Sequence, residues 1–108
     1  MGPMTYATSL ENDALVLYVR GELDAVSVEE IRSSLDRVAA AGHRTVIIDL
    51  SGLRVIDSSG VGSIVSLYKR VRAYGGQVTV RGAKDQPLAI FRLLKLDRVL
   101  APEEAAAA

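Results

Sequence analysis

Thr45-Val46-Ile47-Ile48-Asp49-Leu50, then Ser51-Gly52-Leu53-Arg54-Val55-Ile56-Asp57, then Ser58-Ser59-Gly60-Val61-Gly62 is the stretch that decides the fold. Residues 45–50 form a short apolar run rich in β-branched side chains, which reads as a central strand buried on both faces. Residues 51–57 read as the loop leaving that strand. Beyond Ser58 the apolar residues Val61, Ile64, Tyr68 and Val71 recur at spacings of 3, 4 and 3, which marks one face of a helix over roughly 58–74. Gly75-Gly76 ends it, and Lys69, Arg70 and Arg72 suit the negative end of its dipole. A buried strand handing over to an amphipathic helix is the building unit of an α/β fold.

The flanks extend the same plan. Residues 77–82, with Val78 and Val80 on one side, read as another strand. Upstream, Ser27-Val28-Glu29-Glu30 fits a capping box, with Ser27 as N-cap and Glu30 reaching back. Val28, Ile31, Leu35 and Val38 continue as one apolar face until Gly42 stops the helix. Residues 14–20 alternate, Leu15, Leu17 and Val19 against Val16, Tyr18 and Arg20, as a strand does. The turn cluster Glu11-Asn12-Asp13 ties that strand to residues 5–10 as an antiparallel hairpin. Downstream, Asp85 is expected to cap a third helix, with Pro87 in its first turn, running to about Leu96. Val99-Leu100 is expected to add a short edge strand. The expected order is β-β-α-β-α-β-α-(β), and helices between strands imply right-handed crossovers and a mixed sheet of four to five strands.

Composition narrows the functional classes. The chain has 108 residues, 49% of them hydrophobic, which fits one domain with a real core. Thirteen basic and thirteen acidic residues give a formal net charge of zero, so no global field favours nucleic acid or an anionic membrane. The chain has no cysteine, which excludes disulfides, thiolate chemistry and cysteine zinc sites. No apolar run approaches the roughly 20 residues that span a bilayer, and no early stretch has the pattern of a signal peptide. A cytoplasmic domain over 5–101 is expected, with flexible ends at 1–4 and 102–108. Gly2-Pro3 ahead of Met4 has the look of a cloning remnant and is set aside.

The chemistry concentrates where the second helix begins. At about 100° per residue, Ser59, Gly62, Ser63, Ser66 and Arg70 fall opposite the apolar face. The outward side near the helix start is thus almost bare of large side chains. Glycine inside a helix costs about 1 kcal/mol against alanine, so Gly60 and Gly62 call for a reason. Close helix–sheet packing is one, and close approach of another protein backbone or a phosphate is the other. Both readings stand for Gly60, while the outward position of Gly62 favours the second. Ser58 is either a plain N-cap, as most serines at helix starts are, or an accessible hydroxyl that takes a charged group. Asp57 could itself be the cap and leave Ser58 as the first helical residue. A phosphate on Ser58 would meet the unpaired amides and positive dipole of the first turn.

The stretch Asp49-Leu50-Ser51-Gly52-Leu53-Arg54-Val55-Ile56-Asp57-Ser58-Ser59-Gly60-Val61-Gly62 resembles the signature of STAS domains, and most of all that of bacterial anti-sigma factor antagonists. Gly21-Glu22-Leu23-Asp24 ahead of Glu29-Glu30-Ile31-Arg32 resembles the same family, as does Leu93-Leu94-Lys95-Leu96-Asp97-Arg98-Val99-Leu100. The resemblance covers roughly residues 5–100. It implies an α/β fold, a mixed sheet with helices packed largely on one face. It implies that Ser58 is phosphorylated by an anti-sigma factor that is an ATP-dependent serine kinase, and that a metal-dependent serine phosphatase restores it. The unmodified antagonist would bind the kinase and release the sigma factor. The resemblance further implies a partner-binding surface of Asp24, Asp57, Ser58, Ser59, Gly60, Gly62, Ser63 and Ser66. The chain itself would need no cofactor or metal, perform no catalysis, and touch neither nucleic acid nor membrane. The usual last helix of the family is reduced here to Pro102-Glu103-Glu104 and alanines. The alternative within the family is a constitutive adaptor in a transporter, lipid-trafficking or stress-sensing complex, with Ser58 only a cap.

Other chemistries fit less well. His43, the single histidine, sits in a helix-to-strand turn, and the Gly-x-Ser-x-Gly elbow of hydrolases is absent. Asp49 ends a buried strand as a receiver's phospho-acceptor does, but the accompanying acidic pair and lysine are not evident. Asp24, Asp49 and Asp57 would hold a cation only if the fold gathered them. Gly60-Val61-Gly62 is too short for a dinucleotide fingerprint.

Overall fold

In the computed structural model, which describes residues 3–100, the chain opens on a hairpin. Strands β1 (Thr5–Glu11) and β2 (Ala14–Leu23) pair antiparallel, from Thr5 opposite Arg20 to Glu11 opposite Ala14. Only Asn12 and Asp13 lie between them, with φ of 52° and 70°. This is the backbone of a two-residue type I′ turn, which Asn and Asp accept with little strain. Then come α1 (Ala25–Ala41), β3 (Thr45–Asp49), β4 (Leu53–Ile56), α2 (Ser58–Ala73), β5 (Gln77–Arg81), α3 (Asp85–Leu93) and the single turn α4 (Asp97–Leu100).

The sheet runs β1-β2-β3-β5, with β4 also paired to β2. The β1–β2 pairing is antiparallel and the others are parallel. The ten residues of β2 serve two partners in succession: 15–18 face 46–49 of β3, and 21–23 face 53–56 of β4. The register breaks between Gly21 and Glu22. There Gly21 has φ 90°, and a Cβ would come within 2.7 Å of the Pro3 carbonyl oxygen, so the strand bends where a side chain would not fit.

One apolar cluster holds the molecule together. Leu15, Leu17 and Val19 of β2, Val46 and Ile48 of β3, and Val78 and Val80 of β5 meet Val28, Ile31, Leu35 and Val38 of α1 and Val61, Ile64, Leu67 and Val71 of α2. Phe91 and Leu100 extend it under α3 and α4, and Met4, assigned above to a flexible end, belongs to it as well. The opposite face of the sheet carries fully buried Val16 beside half-buried Tyr18, Ile47 and Thr79. The architecture is therefore the expected mixed sheet with helices on one face, and β3 is sealed on its helix side but only half-covered on the other. No helix among the described residues is long and apolar enough to cross a membrane.

Several local expectations need correction. Ser27 does not cap α1. The cap is Asp24, whose side chain accepts the Val26 and Ser27 amides, and Ser27 is the third helical residue, its Oγ accepting the Asp24 N–H at 2.8 Å. Residues 51–57 are not all loop, because 53–56 pair with the far half of β2. Leu67 is fully buried in α2, while Tyr68 is only partly so. Asp85 does not cap α3: Lys84 holds the N-cap position without a side-chain bond, and Asp85 lies inside at φ 53°. That helix ends at Leu93. Val99-Leu100 is no strand but part of a helical turn, with the Leu100 N–H donating to the Leu96 carbonyl at 2.8 Å and Leu100 buried. Of the flexible ends expected at 1–4 and 102–108, residues 1–2 and 102–108 lie outside the described residues, as does residue 101 of the expected domain.

Candidate functional site

Parallel pairing of β2 with β4 sets Leu23 beside Ile56, so the residues that follow each strand emerge at one corner. Asp24 follows β2 closely and opens α1; Asp57 follows β4 and opens α2. The Asp57 N–H donates to the Leu23 carbonyl at 3.2 Å. The Asp57 carboxylate serves both helices. Its Oδ1 accepts the Gly60 N–H at 2.9 Å, which caps α2, and its Oδ2 accepts the Ala25 N–H of α1 at 3.3 Å. Two helix N-termini, each with a partial positive charge, thus converge on two carboxylates.

Ser58 is the first residue of α2 and is exposed. Asp57 supplies the cap, so the Ser58 hydroxyl is not needed for it. Asp24 is half-exposed. The amide and hydroxyl of Ser27 hold its carboxyl below the usual carboxylate range, with a smaller contribution from the Val26 amide and against a modest desolvation.

Behind this corner, α1 and α2 enclose an open groove of about 530 Å³. Ser59, Gly62, Ser63 and Ser66 form its α2 wall; Glu29, Arg32 and Asp36 are on the α1 wall. Arg70 bridges to Asp36 at 2.8 Å at one end. The Ser63 hydroxyl donates to the Gly60 carbonyl at 2.7 Å. The two glycines differ sharply. A Cβ on Gly60 would lie 2.5 Å from the Leu23 carbonyl oxygen and 2.7 Å from Ile56 Cγ1, whereas one on Gly62 would meet nothing within 4 Å. Close packing accounts for Gly60, and Gly62 faces open space.

Seven of the eight expected surface residues thus lie at this corner or along the groove, and Gly60 lies beneath them. The α1 wall was not anticipated, although the outward spacing of Glu29, Arg32 and Asp36 on an amphipathic helix was there to be used. Asp49 lies apart from Asp24 and Asp57. Its Oδ1 accepts the Ser51 hydroxyl at 2.6 Å, and its Oδ2 accepts Arg81 Nε at 2.7 Å, so the fold does not gather the three aspartates. His43 is a half-exposed turn residue whose carbonyl accepts the Tyr74 hydroxyl.

The mixed sheet with helices on one face is that of an STAS domain, and the family model for the STAS domain matches residues 6–107. The chain belongs to that family. An anti-sigma F factor antagonist of Paenibacillus polymyxa is 31% identical over 80 residues, 71% of this chain and 68% of that one. Two solved structures share the fold. One is an anti-sigma factor antagonist from Mycobacterium paratuberculosis, with TM-score 0.80, 22% identity, and coverage of 92% of this chain and 84% of that one. The other is the Bacillus cell fate determinant SpoIIAA in its phosphorylated form, with TM-score 0.71, 24% identity, and coverage of 95% and 97%.

Proposed function

We propose that this chain is a phosphorylation-switched anti-sigma factor antagonist. In its unmodified form it binds an anti-sigma factor that is an ATP-dependent serine kinase, and so frees the sigma factor. Phosphate on Ser58 breaks the complex, and a metal-dependent phosphatase restores it. The kinase supplies nucleotide and magnesium; this chain contributes a surface and no catalysis. Ser59, Gly62, Ser63 and Ser66 offer a wall with few projecting side chains, against which a partner backbone can lie. Asp24 and Asp57 flank the acceptor. Gly60 acts from below by letting α2 sit against β2 and β4.

The observation that carries the reading is the position of Ser58: exposed, first in its helix, and relieved of capping by Asp57. A phosphate there adds a charge of about −1.5 to −2. Asp57 and Asp24 repel it, while the two helix N-termini attract it. The scaffold therefore tolerates the group, and a partner pressed against the corner does not. Incubation with ATP and a candidate kinase, followed by mass mapping, should place the phosphate on Ser58. Ser58→Ala should bind the kinase and resist release, and Ser58→Asp should bind weakly. If both variants bound a verified cognate kinase as the wild type does, the switch would be refuted and the constitutive adaptor favoured.

A further inference from the structure

The hairpin leaves one edge of the sheet open. β1 pairs with β2 on one side, and among the described residues nothing pairs with its other side. Exposed edges are normally blunted by lysine, proline, a bulge or brevity. β1 has none of these. It is seven residues long, Thr-Tyr-Ala-Thr-Ser-Leu-Glu, in unbroken register. Its two large apolar side chains are exposed, Leu10 at 68% and Tyr6 at 38%.

The free backbone groups follow from the turn. Glu11 and Ala14 flank a two-residue loop and so form a hydrogen-bonded pair. By alternation so do Ser9–Val16, Ala7–Tyr18 and Thr5–Arg20. The N–H and C=O groups of Tyr6, Thr8 and Leu10 therefore point away from β2. These three residues are symmetric about Thr8.

We propose that β1 pairs antiparallel with β1 of a second copy of this chain, about a two-fold axis at Thr8. In that register Thr8 faces Thr8 of the partner subunit, and Tyr6 faces Leu10 of the partner subunit, twice over. All three outward-pointing residues are then used, in three hydrogen-bonded pairs of roughly two bonds each. A shift of one pair along the strand leaves one residue of each copy unmatched, so the two-fold register satisfies the most backbone. The exposed Tyr6 and Leu10 cover each other on one face, and Ala7 meets Ser9 on the other. A second copy therefore matches the strand in both backbone and side chains, the isologous contact of a two-fold dimer. Neither charge opposes it: Glu11 is the one charged residue of β1, it lands opposite Thr5, and the chain is neutral. The contact is small, so the dimer is reversible. β3 and β4 occupy the other edge of β2, and Ser58 follows β4. The dimer therefore leaves both Ser58 corners free.

The test is sedimentation velocity across a series from micromolar to millimolar chain, with amide hydrogen exchange at both ends of the series. The sedimentation coefficient should rise from monomer to dimer. The amides of Tyr6, Thr8 and Leu10 should gain on the order of tenfold protection, while those of Ala7 and Ser9, already bonded to β2, stay as they were. Thr8→Lys sets two ammonium groups opposite each other on the axis and should abolish the dimer without changing the Tm measured at micromolar chain, where the wild type is also a monomer; Leu10→Lys should do the same from a second position. A chain that stays monomeric at millimolar concentration overturns the proposal. So does a dimer whose Tyr6, Thr8 and Leu10 amides remain unprotected, or protection of those amides that does not vary with concentration.

Discussion

One carboxylate at Asp57 joins the start of its own helix to Ala25, the start of another helix 32 positions earlier. Asp57→Ala loses the α2 cap and should cost about 1–2 kcal/mol, and Asp57→Asn, which keeps an acceptor for the Gly60 amide, should cost less; urea unfolding of the three proteins ranks them. The two glycines nearby give a cleaner contrast. Gly60→Ala forces a methyl into the Leu23 carbonyl and Ile56, and should destabilise by about 1–3 kcal/mol through overpacking. Gly62→Ala enters open space and should leave stability unchanged or raise it by up to about 1 kcal/mol. Gly62→Leu should likewise fold normally, with a normal melting temperature, and yet weaken kinase binding. A Gly62→Leu protein that melts early would show that this position packs rather than docks.

At the level of elements, what could be read from sequence followed from periodicity. α2 announces itself by Val61, Ile64 and Val71 and by the glycines after it, and β2 by strict alternation. β4 was illegible for a physical reason. Its four residues are buried, exposed, exposed, buried, a pattern with no two-residue period, because it pairs with β2 beyond the break at Gly21. Helix α1 starts three residues earlier than the Ser27 box implies. Ser27-x-x-Glu30 matches the usual box, but Asp24 presents a carboxylate to two amides and Ser27 completes that earlier box instead. The three-residue error concealed that Asp24 and Asp57 open neighbouring helices. The corner around Ser58 was legible because Asp57, Ser58 and the small residues after them are consecutive; the α1 wall and the Asp57–Ala25 bond were not, since they depend on packing between distant segments. Asp24→Ala should shorten α1 at its start and cost about 1 kcal/mol, whereas Asp24→Asn should retain most of the cap, as helix amide exchange in the first turn would show.

Across the molecule, the helix-free face joins a buried apolar residue, Val16, to a network of charge. Arg81 at the end of β5 donates to Asp49 of β3 at 2.7 Å and to the Tyr18 hydroxyl of β2 at 3.3 Å, lies 5.9 Å from the centroid of the Tyr18 ring, and comes within 3.6 Å of Glu11 on β1. The Tyr18 hydroxyl in turn donates to Glu11, which raises the phenol's pKa above its ordinary value. One guanidinium therefore reaches side chains from each strand of the β1-β2-β3-β5 path. Burial pushes the Asp49 carboxyl up, yet hydrogen bonds from Ser51 and Arg81 and the Arg81 charge outweigh it and hold the group below its usual value. A carboxyl depressed in the folded state stabilises fully above its unfolded pKa of about 3.9 and loses that contribution as pH falls through the lower folded value. Arg81→Met should remove the partner from a largely buried carboxylate and cost about 1.5–3 kcal/mol at neutral pH, the range for a charge-assisted bond, discounted toward the low end because Arg81 is exposed. Asp49→Asn in the same background should recover part of that loss, since no unpaired charge is left behind. Urea unfolding from pH 7 down to about pH 2 should show the gap between wild type and Arg81→Met narrowing below about pH 4. A gap that stayed constant over that range would mean that Arg81 holds the sheet through its contact with the Tyr18 ring and not through Asp49.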